Sequence, residues 1–452
     1  MAKSIGGHAV VLGGSMAGLL TARVLSEAYE RVTIVERDAV PEGPLHRRGV
    51  PQARHLHALL ARGLEVLESL FPGLSAELVA AGACRLDLVA DTRAFWSGHR
   101  LAQAPSGIGV LGLSRPLLES RIRARVRAMD VVTVLDTCDA LGLVTTDDRH
   151  TVRGVRVLPR EPAAERTLTC DLVVDATGRG SRTPTWLTQL GFPEPRRDRV
   201  EVDVRYATRA FRLREGALAD DSVIVIGDTP AHPRGGAMFA IEGGRHLCSL
   251  AGVLGDAPPI DLSGFLAFAE TFAFPDLREA LIDAEPLDDG ARLSYPADVR
   301  VRYEHLARHP AGLLVIGDAI CALNPVYGQG MTVAAMEAAT LLRLVEAGLP
   351  LDPGRYYTEI ARTIDVPWDI TTAADLSRPG VGGQPSVRLR LIDTYIHRLH
   401  AAAERDADLA VAFFRVVGLM DPPSALMRPG RVARVLAGGV RAALTTSRRG
   451  AG

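Results

Sequence analysis

A strand, a glycine-rich turn, a helix and a second strand occupy the first 36 residues and constrain the fold most. The apolar run 8–12 is typical of a buried strand, residues 16–28 carry apolar side chains at helical spacing, and the β-branched run 31–36 ends in Glu36. Together these elements form a βαβ unit. The sequence therefore predicts an α/β fold with a Rossmann-type layer.

The turn Gly13-Gly14-Ser15-Met16-Ala17-Gly18 suits a dinucleotide. Gly13 permits the tight turn, the small Ser15 lets a pyrophosphate approach the backbone, and Gly18 lets the helix pack on the strand. The helix N-terminus offers free N–H groups to phosphates. Glu36 follows Gly18 by 18 residues, the spacing at which a carboxylate accepts ribose hydroxyls. We expect nucleotide binding by Gly13, Ser15, Met16, Ala17, Gly18, Glu36 and the adjacent Arg37.

Two other interpretations fit parts of this turn. It nearly matches the G-x-S-x-G elbow of hydrolases, with Ser15 as nucleophile, but Ala17 replaces the second glycine and no earlier strand supplies an oxyanion loop. Glu36 also has no role in a hydrolase. An NAD(P) dehydrogenase is the other alternative.

Composition excludes several chemistries. Of the 52 basic residues, Lys3 is the single lysine, so a Schiff base or a Walker-type lysine would have to lie at the terminus. The net charge of −1 gives no reason to expect nucleic acid. No apolar run approaches the about 18 residues of a membrane span, and the five scattered cysteines form no zinc pattern. We expect a cytoplasmic protein without a metal or a stable membrane span.

A second candidate motif lies some 300 residues further on. The apolar strand 313–319 ends in Gly317-Asp318, and a loop leads through Pro325 and Gly328 to a helix over 331–346. An acid at a strand tip, a glycine loop and a helix N-terminus can together bind a polyol and a polar ring edge.

The middle and the end of the chain add further predicted elements. Residues 198–255 alternate as strands do and predict a mostly antiparallel sheet. The loop 46–57, rich in Arg and His, is either solvated or folds over an anion, with Arg47 or Arg48 reaching a phosphate. Arg115 opens a helix over 115–128, whose arginines at 121, 123, 125 and 127 face mainly outward. Further expectations are a hairpin-like stretch with strands near 131–135 and 152–158, and helices at 56–70, 262–283, 354–376, 386–416 and 430–446.

These motifs, in this order, resemble the FAD-dependent monooxygenases of the aromatic-hydroxylase fold. The resemblance rests on the first turn with Glu36, on Asp171–Ser181, and on Gly317 through Gly330, and it covers about 350 residues. Within that group the chain looks like the bacterial epoxidases of polyether polyketide biosynthesis, which are relatives of squalene epoxidase. The segments that carry this finer likeness are Arg47–His57, Ser114–Leu118, Val174–Ser181 and Asn324–Met331.

The resemblance implies a Rossmann-type FAD-binding domain, an inserted antiparallel substrate domain and a helical C-terminal region. The expected segments are 1–85, 110–190 and 285–350 for FAD, 86–109 and 191–284 for substrate, and 351–452 for the helices.

Residue roles also follow from the resemblance. The first turn and Glu36 would hold the ADP half, Arg47 and Arg115 the nucleotide, and Asp318 the ribitol or pyrophosphate. Gly178, in the second motif, would also bind the cofactor. Flavin carries the chemistry, so no catalytic side chain is expected; the residues beside the isoalloxazine ring would be Pro325, Gly328, Gly330 and Met331.

The implied reaction uses O₂ and a flavin C4a-hydroperoxide to epoxidise an alkene of an apolar, polyene- or polyketide-like substrate. An FAD-dependent hydroxylase or reductase is the alternative. NAD(P)H is expected as the ultimate reductant. In the family's second motif an Asp is linked to NAD(P)H handling, and Thr177 replaces it here, so reduction through a separate flavin reductase is the alternative to direct reduction. Flavin halogenases share the fold, but this chain lacks their catalytic lysine and their Trp-x-Trp-x-Ile-Pro segment.

Overall fold

The computed structural model describes residues 5–47, 49–348, 351–382 and 386–438. In chain order its strands are β1 (Gly6–Leu12), β2 (Tyr29–Val35), β3 (Cys84–Asp87), β4 (Thr92–Trp96), β5 (His99–Arg100), β6 (Gly109–Gly112), β7 (Val132–Leu135), β8 (Cys138–Thr145), β9 (Val152–Pro159), β10 (Arg166–Thr169), β11 (Leu172–Asp175), β12 (Arg197–Arg212), β13 (Val223–Ile226), β14 (Arg234–Ile241), β15 (Arg245–Gly252), β16 (Glu285–Pro286), β17 (Ala291–Val301), β18 (Leu313–Val315) and β19 (Cys321–Ala322).

The helices alternate with these strands and dominate the end of the chain. They are α1 (Met16–Leu25), α2 (Ala61–Leu70), α3 (Leu74–Ala80), α4 (Arg115–Arg127), α5 (Thr183–Gln189), α6 (Leu262–Glu270), α7 (Asp276–Leu281), α8 (Gly330–Glu346), α9 (Pro353–Leu376), α10 (Val387–Ala403) and α11 (Ala407–Val417). Residues 429–438 are also helical.

A five-stranded parallel sheet forms the first layer, in the order β18-β11-β1-β2-β7. Strand β1 lies at its centre, with Val10 opposite Val173 on one side and Thr33 on the other. Val10, Val11 and Leu12 are fully buried because both faces of a parallel sheet are covered. The predicted βαβ unit is confirmed as β1, α1 and β2.

A larger, mostly antiparallel sheet contains β12, β15, β14 and β13 at its centre, as the alternation over 198–255 predicts. Successive side chains of a strand point to opposite faces. On one face Ile224 and Met238 pack against Phe265 of α6 in an apolar core. The other face, which carries Val225 and Phe239, borders the cavity described below.

The C-terminal helices cover one side of this sheet. Ala94 of β4 belongs to the same apolar cluster as Leu399 of α10 and Phe413 of α11. The helix predicted over 354–376 is confirmed as α9. The single helix predicted over 386–416 is wrong, because Asp406 starts a new helix by accepting a hydrogen bond from the Leu409 backbone N–H at 3.2 Å.

Several other predicted elements need correction. The helix predicted from 56 begins only at Ala61, because the backbone of Leu60 is extended, with a ψ of 158°. The helix predicted over 262–283 breaks into α6 and α7, because Pro275 lacks an N–H to continue a helix. Of the helix predicted over 430–446, the part beyond 438 lies outside the described residues.

Long-range pairing accounts for the remaining differences. Strand β7 pairs in parallel with β2, whereas β9 pairs antiparallel with β8 and β10. Strand β17, expected within the last FAD-binding segment, pairs with β12 and so belongs to the large sheet. Arg123 does not face outward: its side chain is buried and contacts Glu119 of α4. Among the described helices none is long and apolar enough to cross a membrane.

Candidate functional site

One cavity of about 1620 Å³ lies between the two sheets and the C-terminal helices. The carboxyl ends of β1, β11 and β18 meet at its edge, as expected for parallel strands. We call this side the loop end; its walls include Ser15, Met16, Ala17, Arg115, Gly178, Asp318 and Pro325–Met331. The opposite side, the sheet end, is lined by Tyr206, Val225, Phe239, Ala251, Leu293 and side chains of α9, α10 and α11.

The turn after β1 depends on glycine. Gly13 has a φ of +98°, and a Cβ there would lie 2.6 Å from the Ala176 carbonyl oxygen. A Cβ on Gly18 would lie 1.8 Å from the Gly13 carbonyl oxygen. Ser15 precedes α1 without capping it through its side chain, so the first N–H groups of α1 remain available at the cavity wall.

Arg115 is the cation at the loop end. Its Nη2 donates to Ser15 Oγ at 3.0 Å, and its Nη1 donates to His57 Nε2 at 3.1 Å. Burial, and then the charge of Arg115, lower the pKa of His57 to about 3, so the imidazole is neutral. His57 Nδ1 therefore carries the hydrogen and donates to the His55 carbonyl at 2.9 Å. His57 thus holds Arg115 at the cavity wall.

Glu36 and Arg47 lie behind the turn and do not line the cavity. Glu36 Oε2 accepts from the Gly14 N–H at 2.8 Å and pairs with Arg47 at 3.1 Å. Arg47 is buried and also pairs with Glu119 at 2.5 Å. Arg47 therefore has two carboxylate partners. It lies neither in a solvated loop nor at an open anion site, the two environments predicted for it. Arg48 lies outside the described residues.

Some of the other predicted residues line the cavity, and others shape the turns behind it. Gly13 and Gly18 shape the turn without lining the cavity, and Arg37 is exposed, 4.0 Å from Asp38. Thr177 donates to Asp175, which also accepts from Ser181 and Thr183. Asp175 therefore stabilises the turn after β11 and brings Gly178 to the cavity wall.

Asp318 follows β18 and opens onto the cavity. Burial raises the pKa of its carboxyl, and Arg115 and Arg179 oppose that rise. Gly317 has a φ of +71°, and a Cβ there would lie 2.7 Å from the Ala17 Cβ. The two candidate motifs, some 300 residues apart, therefore meet at one wall of the same cavity.

The loop before α8 is held tightly. The Asn324 side chain accepts from the Val326 N–H at 3.2 Å, and Gly328 has a φ of +66°. A Cβ on Gly328 would lie 2.7 Å from the Ala58 Cβ. No side chain caps α8, so its N-terminus is open to the cavity beside Gly330 and Met331.

Sequence reasoning missed several wall residues. His57 stood in the motif quoted for the resemblance but received no role. Arg179, whose guanidinium lies 5.3 Å from the Tyr295 ring centre, also stood in a quoted motif without a role. Arg378 lies in no motif that separates it from the other arginines. Their position depends on contacts between distant segments.

The loop end fits a long, anionic dinucleotide. Two helix N-termini without side-chain caps, the cations Arg115 and Arg179 and the carboxyl of Asp318 line the same cavity, and glycines at 13 and 317 allow close backbone approach. The fold and this site define an FAD-binding class of α/β protein. Residues 8–349 match the family described as FAD binding domain, and the chain belongs to that family.

Three known proteins illustrate the likeness. Protein Rv3254 of Mycobacterium tuberculosis is 36% identical over 434 residues, covering 92% of this chain and 90% of that protein. The flavin-dependent brominase Bmp2 aligns with a TM-score of 0.65 at 14% identity, over 98% of this chain and 99% of its own. PqsL, a probable FAD-dependent monooxygenase from Pseudomonas aeruginosa, aligns with a TM-score of 0.58 at 16% identity, over 90% and 99%. The predicted fold class is confirmed.

Proposed function

We propose that the chain is an FAD-dependent monooxygenase that transfers one oxygen atom from O₂ to an alkene of a large apolar substrate, of polyene or polyketide type, and forms an epoxide. The observation that carries this proposal is the single cavity of about 1620 Å³, in which a dinucleotide-type loop end continues into an apolar sheet end. A substrate at the sheet end would therefore lie beside the ring of a cofactor held at the loop end.

The loop end supplies the groups that would hold FAD. The first N–H groups of α1 and Arg115 would face the diphosphate, and Asp318 would accept hydroxyls of the ribityl chain. Glu36 would accept ribose hydroxyls beside the Gly14 N–H, and Arg47 would fix its carboxylate. Gly178 and the segment Pro325–Met331 would lie along the ring. When bound, FAD supplies electron transfer and O₂ activation.

The protein's own contribution is orientation and exclusion of water. The N-terminus of α8 would stabilise negative charge at the ring edge through its dipole. Val225, Phe239 and Leu293 present apolar surface to the substrate. Such a lining favours an aliphatic chain and keeps water from the reacting oxygen. No protein nucleophile is needed.

The test is product analysis with isotopically heavy O₂. FAD-loaded protein, NADPH and a polyene are incubated with and without an added flavin reductase, and products are analysed by mass spectrometry. We expect one heavy oxygen per turnover in a product that acid opens to a diol. A heavy hydroxyl at a saturated carbon would make the protein a hydroxylase, and a product with two added hydrogens and no oxygen would make it a reductase; either overturns epoxidation.

A further inference from the structure

A buried polar cluster lies directly behind the loop that precedes α8. It joins the large sheet, that loop and the end of α9, and none of its members has a role in the cofactor contacts above except through the loop itself. We call it the carboxyl cluster; its members are Asp228, Asp298, Asn324, Tyr327, Asp375 and Arg378. Asp298 of β17 and Asp375 of α9 are both completely buried.

Asn324 and Tyr327 tie the loop to the two buried acids. The Asn324 backbone N–H donates to Asp298 Oδ1 at 2.5 Å, and its side-chain amide donates to Asp375 Oδ1 at 3.0 Å. The Tyr327 hydroxyl donates to Asp375 Oδ1 at 2.8 Å. Asn324 therefore donates to both buried carboxyl groups, one through its backbone and one through its side chain.

The cation Arg378 pairs with two of the three carboxyl groups of the cluster. Arg378 makes two N–H contacts with Asp228, at 2.8 and 2.9 Å, and also pairs with Asp375. Among the described residues no cation pairs with Asp298, and the neighbouring Arg300 pairs instead with Glu304 and Asp365. An uncompensated buried carboxylate beside a second carboxylate is strongly unfavourable.

The hydrogen-bond pattern indicates which carboxyl oxygen can carry a proton and so reduce the excess negative charge. Asp298 Oδ1 accepts from Asn324 and, at 3.4 Å, from the Tyr295 hydroxyl. Asp298 Oδ2 is buried and has no partner in the described part of the chain. A proton on Oδ2 that is donated to Asp375 gives this oxygen a partner and removes one negative charge. Burial, followed by Asp375, raises the pKa of Asp298 to about 8, in line with this reading.

We propose that Asp298 and Asp375 hold one proton between them and that Tyr327, which lines the cavity, delivers it to the reacting oxygen. The inference rests on the proposed function, because insertion of one oxygen atom from O₂ takes up two electrons and two protons as the other oxygen leaves as water. The carboxyl cluster would supply one of these protons from the cavity wall.

The relay consists of three proton transfers, and no proton is gained or lost among them. The Tyr327 hydroxyl turns toward the cavity and gives its proton to the reacting oxygen, which derives from O₂. Asp298 passes its proton to Asp375, and Asp375 protonates the Tyr327 oxygen. Arg378 Nη1, 2.6 Å from that oxygen, stabilises the charge during the exchange. Asp298 is left ionised and regains a proton from solvent before the next turnover. Tyr327 is neutral at rest, since burial raises its pKa well above the ordinary value.

The shared proton is tested by infrared spectroscopy of the FAD-loaded protein, independently of activity. Asp298→Asn keeps the shape of the site, because its amide can donate to Asp375 in place of the proton. We expect a protonated-carboxyl band in the wild type that Asp298→Asn removes. Glu337, whose pKa burial also raises to about 8, gives a second such band, which Glu337→Gln identifies. A band pattern unchanged by Asp298→Asn overturns the shared proton, whatever the reaction proves to be.

The relay is tested by the pH dependence of oxygen transfer. In the wild type the rate falls as the pH rises through about 8, because Asp298 loses the proton; the titratable groups that face Asp298 are Tyr295, Asp375 and the nearby Cys321. In Asp298→Asn and Tyr327→Phe we expect a rate about 100-fold lower at pH 7 that no longer depends on pH near 8. We also expect the dissociation constant of FAD to stay within about two-fold in Asp298→Asn.

The matched control is Tyr356→Phe, which removes another buried hydroxyl, one that donates to the Val315 carbonyl at 2.9 Å outside the cavity wall. It should keep the wild-type pH profile. A Tyr327→Phe variant with the wild-type rate and pH profile overturns the relay even if the infrared bands stand. Loss of oxygen transfer from every variant and from the wild type would instead refute the proposed function.

Discussion

The two ends of the cavity are built in different ways. The loop end consists of short contiguous segments whose backbone does the positioning, as at Gly13, Gly317 and Gly328, each with a positive φ. The sheet end consists of side chains from separate strands and helices, such as Tyr206, Val225 and Phe239. At these positive-φ positions the backbone favours glycine, whereas a wall of apolar side chains accepts many apolar substitutions. In the proposed function, cofactor binding therefore depends on short local segments, whereas substrate choice depends on side chains from distant parts of the chain.

The largest expected effect is at the loop end, where backbone meets backbone. Gly18→Ala would place a Cβ 1.8 Å from the Gly13 carbonyl oxygen, so α1 must move away from the turn. We expect the free energy of unfolding to fall by on the order of 3 kcal/mol and FAD retention to be lost. Denaturant unfolding and flavin absorbance measure both. Gly109→Ala, which meets no atom within 4 Å, is the control and should change neither.

Removal of the loop-end carboxylate should weaken FAD without unfolding the chain. Asp318→Ala deletes a group that opens onto the cavity and supports no described element. We expect the dissociation constant of FAD to rise about ten- to a hundred-fold, since hydrogen bonds to charged groups contribute on that scale. Fluorescence titration checks it. Unchanged flavin affinity would remove Asp318 from the cofactor site.

A substitution at the sheet end should affect substrate and leave the cofactor alone. Val225→Trp fills part of the cavity from the centre of the large sheet. We expect KM for a polyene to rise about ten-fold while the dissociation constant of FAD stays constant. Val225→Ile, which adds one methylene, is the conservative comparison. A parallel loss of FAD would mean that the two ends are not separable.

The smallest effect is expected at Ser15. Its hydroxyl contacts Arg115 and Glu119, so Ser15→Ala removes one hydrogen-bonded link without moving α1. We expect FAD affinity to fall about three-fold and oxygen transfer to survive. Steady-state assays distinguish this from a nucleophilic serine, whose loss would abolish all activity.

The same contrast explains what could be predicted from sequence. The strand, turn and helix over residues 8–25 follow from local rules, and so does α9. The pairing of β7 with β2 and the burial of Arg123 depend on long-range contacts that no periodicity records.

The carboxyl cluster is the clearest case of this limit. Arg378 and Asp228 are 150 residues apart, and in the sequence each is one charge among many. Their meeting depends on how α9 lies against the large sheet. The motif around Asn324 could be found, but the two acids that hold it could not.

A crystal structure of the protein with FAD bound tests the proposed cofactor site most directly. We expect one continuous cofactor density, with the diphosphate at the N-terminus of α1 beside Arg115 and the isoalloxazine ring along Pro325–Met331. Density for the ring on the outside of the large sheet, or for a diphosphate remote from Ser15–Ala17, would contradict it.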